Sequence, residues 1–130
     1  FACGNVLHVH DLVDFVATEA EEAGVHAAKY IQADTGDAGE TIIVENGDDA
    51  SAVCPQMIHR IPKQDKVALM FRPRNKFRDV TVSAESDGKV IAAKKLIAVT
   101  PGEMIRLEIP ADKLAQAGGS ITVSLKGGAL

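Results

Sequence analysis

The sequence predicts a mainly β protein: an immunoglobulin-like β-sandwich over residues 41–130, preceded by a strand–helix unit over residues 1–33, with 34–40 joining them. Three observations carry this expectation. After Thr41, short runs of alternating apolar residues recur, each bounded by turn residues. Before Asp34 the apolar period is that of a helix. Between the two, Asp34-Thr35-Gly36-Asp37-Ala38-Gly39 holds no large apolar side chain and two glycines, which is linker composition.

The opening residues Phe1-Ala2-Cys3-Gly4 read as the end of a buried strand. There is no initial methionine, basic n-region or apolar h-region, so the expectation is the C-terminal piece of a longer protein. From Asp11 to about Ala33, Leu12, Val16, Ala20, Ala23, Ala27 and Ile31 recur at steps of three and four and predict one long helix. Asp11 suits the N-cap, and Asp14 adds negative charge in the first turn, where the helix dipole favours it. Glu19, Glu21 and Glu22 read as a solvated face. The stripe is rich in alanine, so its backbone can approach a partner closely. A lone helix of this kind is marginal in water, which leaves its apolar stripe in need of a partner.

The β region reads as Thr41–Glu45, Ala52–Cys54, Lys66–Phe71, Asp79–Glu85, Val90–Val99, Met104–Ile109 and Ile121–Leu125. Ser86-Asp87-Gly88-Lys89 is a two-residue hairpin signal, because Asp-Gly tolerates the left-handed backbone a tight hairpin needs. Pro110–Ala117 reads as one or two helical turns, with Pro110 near the start. The absence of tryptophan and of a cysteine pair excludes an antibody-type domain, and the core is expected to be aliphatic around Phe71 and Phe77.

Composition narrows function by exclusion. Of 130 residues, 46% are apolar and 25% charged, which is globular composition, and the net charge is −4. An acidic chain lacks the basic face on which nucleic acid and anionic membranes depend, and no apolar run approaches the roughly 20 residues that span a bilayer. Neither partner is expected. Cys3 and Cys54 lie fifty-one positions apart without CxxC spacing and read as two small buried hydrophobes in a reducing cytoplasm. His8-Val9-His10-Asp11 has the alternation of a metal-ligand pair, but His26 and His59 stand at no ligand spacing, so no metal is expected. Phe71-Arg72-Pro73-Arg74-Asn75-Lys76-Phe77-Arg78 reads as a solvated loop with its aromatics turned inward, in preference to a phosphate or nucleic-acid patch. A strand ending in glycine before a helix N-terminus can present backbone amides to an anion or a carbonyl, although such connections are common.

Phe1-Ala2-Cys3-Gly4-Asn5-Val6, followed by a long helix ending in Ala27-Ala28-Lys29-Tyr30-Ile31, resembles the last FAD-binding motif of the pyridine nucleotide-disulfide oxidoreductase family. Cys3 to Asp14 is most similar to a subgroup of bacterial NAD(P)/FAD-dependent oxidoreductases that carry an extra β-rich C-terminal domain. The resemblance covers about the first 33 residues. It implies that residues 1–33 are the terminal strand–helix remnant of an FAD-binding α/β domain. It also implies FAD and NAD(P) as cofactors of the intact parent, and the N-terminal FAD/NAD-binding part of the same protein as partner. Carried over by position, Gly4 is the motif glycine, and Asn5 stands where most relatives have aspartate, keeping a hydrogen-bonding side chain without its charge. His10, Asp11, Leu12 and Val13 would lie at the helix N-terminus near the flavin ring. The glycine-rich nucleotide fingerprints and the redox dithiol of the family are absent from this chain, so the fragment alone is expected to hold no cofactor and to be inactive. A rival expectation remains: a non-catalytic sandwich module for dimerisation, as a homo-oligomer, or for docking to a partner subunit.

Overall fold

The computed structural model describes residues 1–32, 39–60 and 66–129, so residues 34–38 of the predicted linker 34–40 lie outside the described residues. The chain divides into two compact units, Phe1–Ala38 and Gly39–Leu130.

Among the described residues the larger unit has eight strands in two sheets: β1 (Thr41–Asn46), β2 (Ala50–Cys54), β3 (Met57–His59), β4 (Val67–Pro73), β5 (Phe77–Ser86), β6 (Lys89–Val99), β7 (Ile105–Ile109) and β8 (Ser120–Ala129). One sheet has the order β3-β1-β8-β5-β6 and the other β2-β4-β7. Every pairing is antiparallel except β1 with β8, where Val44 lies opposite Ile121 and Asn46 opposite Val123. One apolar cluster draws on both sheets, with Leu69, Phe71 and Leu107 from the smaller and Ile42, Val82, Val123 and Leu125 from the larger. The alternation that marks each strand in the sequence is the alternation of burial, as along β7, where Ile105, Leu107 and Ile109 are buried and Arg106 and Glu108 are exposed.

The predicted runs all become strands, with ends shifted by a few residues. One strand has no counterpart in the sequence reading. Between Pro55 and Arg60 the three residues of β3 are too few to show a period, and they are strand only because Ile42 and Ile43 of β1 lie opposite them. At the β5–β6 turn Asp87 and Gly88 both have positive φ, 51° and 73°, as a two-residue hairpin requires. Two further left-handed residues sit at register breaks. Ala52 (φ 52°) lies in the shift of β2 against β4, and Asp79 (φ 48°) in the shift of β5 against β8. The Asn46 side chain supports the first by accepting a hydrogen bond from the Val53 amide at 3.1 Å. A short helix, α2 (Ala111–Leu114), follows Pro110 and sets Leu114 into the core on the way from β7 to β8.

Among its described residues the smaller unit holds a 3₁₀ turn at Gly4–Val6 and a helix, α1 (Val13–Ile31). Three expectations change here. Residues 1–3 are not a strand: Cys3 is extended, but no strand among the described residues lies beside it, and an unpaired strand cannot satisfy its backbone. The helix, expected from Asp11 to about Ala33, starts at Val13 and runs to Ile31, and residue 33 lies outside the described residues. Its N-cap is Leu12, with no side-chain capping bond, because Leu12 is the last extended residue (φ −129°, ψ 139°) and Asp11 stands one position too early to cap.

Candidate functional site

Two of the residues singled out by sequence, Gly4 and His10, meet at one side chain the sequence reading assigned to solvent, Glu19. Gly4 adopts φ 68°, a left-handed conformation that turns the chain out of the extended Cys3. A β-carbon at this position would stand 3.7 Å from the Val16 side chain, so the strain of that backbone and not crowding is what favours glycine. The turn brings the Gly4 amide to 2.5 Å from Oε2 of Glu19, which accepts its hydrogen bond. The same oxygen lies 3.0 Å from Nε2 of His10. Glu19 is therefore not part of the solvated face with Glu21 and Glu22. Its side chain is 15% exposed and ties residue 4 and residue 10 to the middle of α1. The face of α1 that is partly covered runs through Phe15, Val16, Glu19, Ala23 and Ala27, so it is rotated from the expected stripe, and Leu12, Ala20 and Ile31 are exposed.

The His10 side chain is 1% exposed, and its Nδ1 has no hydrogen-bond partner among the described residues. His8 is buried and lies edge-on to His10, with ring centroids 5.2 Å apart. The two alternating histidine rings thus meet each other, and His10 also meets Glu19. Among the described residues no group of three or more His, Cys, Asp or Glu side chains is placed to hold a metal ion. Neither Cys3 nor Cys54 is in a disulfide.

Asn5 is exposed, and its Oδ1 lies 3.5 Å from the His10 amide, a long and weak contact that leaves the side-chain NH2 available. Asp11, Leu12 and Val13 are exposed at the start of α1. Hydrogen bonding at this end begins with the Phe15 amide, which donates to the Leu12 carbonyl, so the Val13 and Asp14 amides have no acceptor inside the helix. The unit also leaves much apolar surface open: Phe1, Val6, Val9, Leu12, Val13, Val25, Tyr30 and Ile31 are exposed, Ile31 at 82%, and no residue of α1 is fully buried. Phe1 and Tyr30 meet edge to face at 5.7 Å.

In the larger unit the basic run between β4 and β5 works as structure. Arg72 donates to the Gly102 carbonyl and Arg74 Nε to the Ala50 carbonyl, at 2.5 and 2.9 Å, while Phe71 and Phe77 are buried. Arg60, which no sequence signal marked, places its guanidinium on the carbonyls of Ala115, Ala117 and Gly118 just past α2. Lys66 and Arg106 flank Glu108, at 2.8 and 3.3 Å, and hold its carboxyl below the usual carboxylate range, the Lys66 hydrogen bond being the main cause. Among the described residues no helix is long and apolar enough to cross a membrane.

The part of this site that sequence reasoning missed is Glu19. Its neighbours Glu21 and Glu22 make it look like one of a solvated group, and only the return of residues 4–10 along the helix separates it from them. Comparison of the chain with protein-family models, with curated proteins and with solved structures finds no match.

Proposed function

We propose that residues 1–33 are the terminal unit of an FAD-binding domain. In this reading the chain is the C-terminal region of a cytoplasmic flavin-dependent oxidoreductase that passes hydride between NAD(P)H, FAD and an acceptor, and residues 41–130 form an attached immunoglobulin-like β-sandwich. The observation that carries the reading is the polar turn at Gly4–Asn5 together with a long helix whose N-cap residue, Leu12, makes no side-chain capping bond. Uncapped amides at the positive end of a helix dipole suit a carbonyl or other electron-rich edge of a ligand. Two sheets around one aliphatic core, with a helical crossover between β7 and β8, are what favours the sandwich description.

The residues fit a flavin in a specific division of labour. The Asn5 amide is exposed and suits the hydroxyls of a ribityl chain. The Val13 amide, next to Leu12, suits a ring carbonyl, and the amides there stabilise negative charge that builds up on it. His10 and Asp11 border the same helix end by sequence. Gly4 contributes its backbone shape and not its N–H, which Glu19 already engages. When bound, the flavin supplies the redox chemistry, and the protein orients and polarises it. The chain alone, without nucleotide fingerprints, is inactive in this reading and works with the N-terminal FAD/NAD-binding part of the same protein.

The test is flavin retention by the intact polypeptide that carries this chain. Asn5→Leu lowers the fraction of protein that keeps visible flavin absorbance through purification, and Asn5→Asp retains it. A colourless intact protein overturns the reading.

A second reading rests on β6. This strand is eleven residues long and forms an edge of its sheet, with Ile97 86% exposed and Val90 open as well. An exposed edge is a template for pairing, so the unit would serve as a module for dimerisation or subunit docking. Lys89, Lys94 and Lys95 on the same strand blunt self-pairing, which makes this reading the weaker of the two. Sedimentation tests the dimerisation form of this reading, which a monomeric intact protein removes.

A further inference from the structure

We infer that Glu19 is a positioning residue for His10: it holds the imidazole in the tautomer with hydrogen on Nε2, so that Nδ1 is a buried hydrogen-bond acceptor and the loop suits a ligand group that donates an N–H or O–H and is not an anion. The inference rests on the flavin reading only for the identity of the ligand. The geometry stands without it.

Two donors converge on Oε2 of Glu19, the Gly4 amide at 2.5 Å and the His10 ring at 3.0 Å. A carboxylate can only accept, and a proton between a carboxylate and an imidazole resides on the imidazole, the stronger base. Nε2 therefore carries hydrogen. In a neutral ring the other nitrogen is then a lone-pair acceptor, since the tautomer is set by the bond the partner nitrogen makes. That acceptor is Nδ1, and the side chain that bears it is 1% exposed with no partner for Nδ1 among the described residues. A buried polar atom without a partner costs on the order of a hydrogen bond, so it marks either a structural water or a place for a ligand donor.

The same carboxylate decides what the loop rejects. The Gly4 amide is the donor that a glycine turn would offer to a phosphate, and it is already spent on Glu19. An anion brought to Gly4 would meet a negative oxygen with both its hydrogen bonds made. Glu19 therefore does two things at once: it withdraws the anion-binding donor and it creates the acceptor. For a flavin this selects the hydroxyls and imide N–H of the molecule and places its phosphates elsewhere.

The experiment is nitrogen-15 NMR of the full 130-residue chain with the imidazole ring nitrogens of His10 assigned. In the neutral ring the expected spectrum shows a protonated Nε2 and an unprotonated Nδ1, and titration with inorganic phosphate causes no saturable shift of the Gly4 amide. In Glu19→Gln the ring loses its bias and both tautomers appear. In Glu19→Ala the Gly4 amide also exchanges with solvent faster by about tenfold, the loss of one charge-assisted hydrogen bond. A helix that merely needs Glu19 for packing would change its exchange rates without changing the tautomer. Hydrogen on Nδ1 in the wild-type chain, or a saturable shift of Gly4 by phosphate, overturns the inference. Neither result touches the Asn5 test of flavin retention, so the two can fail separately.

Discussion

The two units of this chain are held together by different physics. In the larger unit an aliphatic cluster spans two sheets, with Phe71, Leu69, Ile42 and Ile121 completely enclosed. In the smaller unit no residue of the helix is buried, and the organising contacts are polar: one glutamate oxygen with an amide and an imidazole, and a pair of edge-on histidines. Burial of apolar area is non-directional and tolerates local error, whereas a few hydrogen bonds define geometry but add little stability each. The β unit has what an independently stable domain needs. The helical unit has the makings of a site and leaves a large part of its apolar surface uncovered.

That contrast can be broken at its strongest point first. Phe71→Ala removes a fully buried ring and should cost about 3–5 kcal/mol of unfolding free energy in denaturant titration. Ser86 comes next. Its hydroxyl donates to the Ser120 carbonyl at 2.6 Å and accepts from the Gly118 amide at 2.9 Å, so Ser86→Ala orphans both groups and should cost about 1–3 kcal/mol by the same measurement.

The helical unit responds in the other direction. Leu12→Ser supplies the missing cap and should stabilise α1 by about 1 kcal/mol, read as slower amide exchange at Val13 to Val16. If the Val13 and Asp14 amides serve a ligand, the same substitution should weaken flavin retention in the intact protein, because the serine oxygen occupies them. A stabilised helix with undiminished retention would detach the helix N-terminus from the flavin reading.

The smallest effect belongs to the exposed ion pair of Lys66 and Glu108. The Glu108 carboxyl is held below its ordinary value, so its folded state is favoured when ionised. The stabilisation is present above the ordinary carboxylate range and is lost as pH falls through the depressed value of the folded protein. Lys66→Ala should flatten the acid limb of the stability profile slightly, and added salt should do the same to the wild type. An acid limb insensitive to both would show the pair to be energetically silent.

Sequence and structure diverge most where a contact joins distant positions. β3 was invisible because three residues carry no period, and β1 makes it a strand. Arg60 looked like any surface arginine, and the carbonyls it binds come from 55 to 58 positions later. Glu19 looked like its neighbours until residues 4 and 10 returned to it. The expected N-cap at Asp11 failed by a single position, because the helix boundary depends on which residue ends the extended segment, and several polar residues nearby were equally acceptable to local rules. By contrast, the core strands β4, β5, β7 and β8 were readable because alternating burial writes itself into composition, residue by residue.

The amino-acid order alone determined the mainly β character, the places where most strands turn, the long helix before them and the aliphatic nature of the core, since each depends on periodicity or on local backbone preference. Tertiary structure alone decided that β1 runs parallel to β8, that a glutamate on the helix binds Gly4 and His10, and that one nitrogen of His10 is buried without a partner. Those features arise between residues far apart along the chain, where hydrogen-bond geometry and exclusion of water act and no local pattern records them.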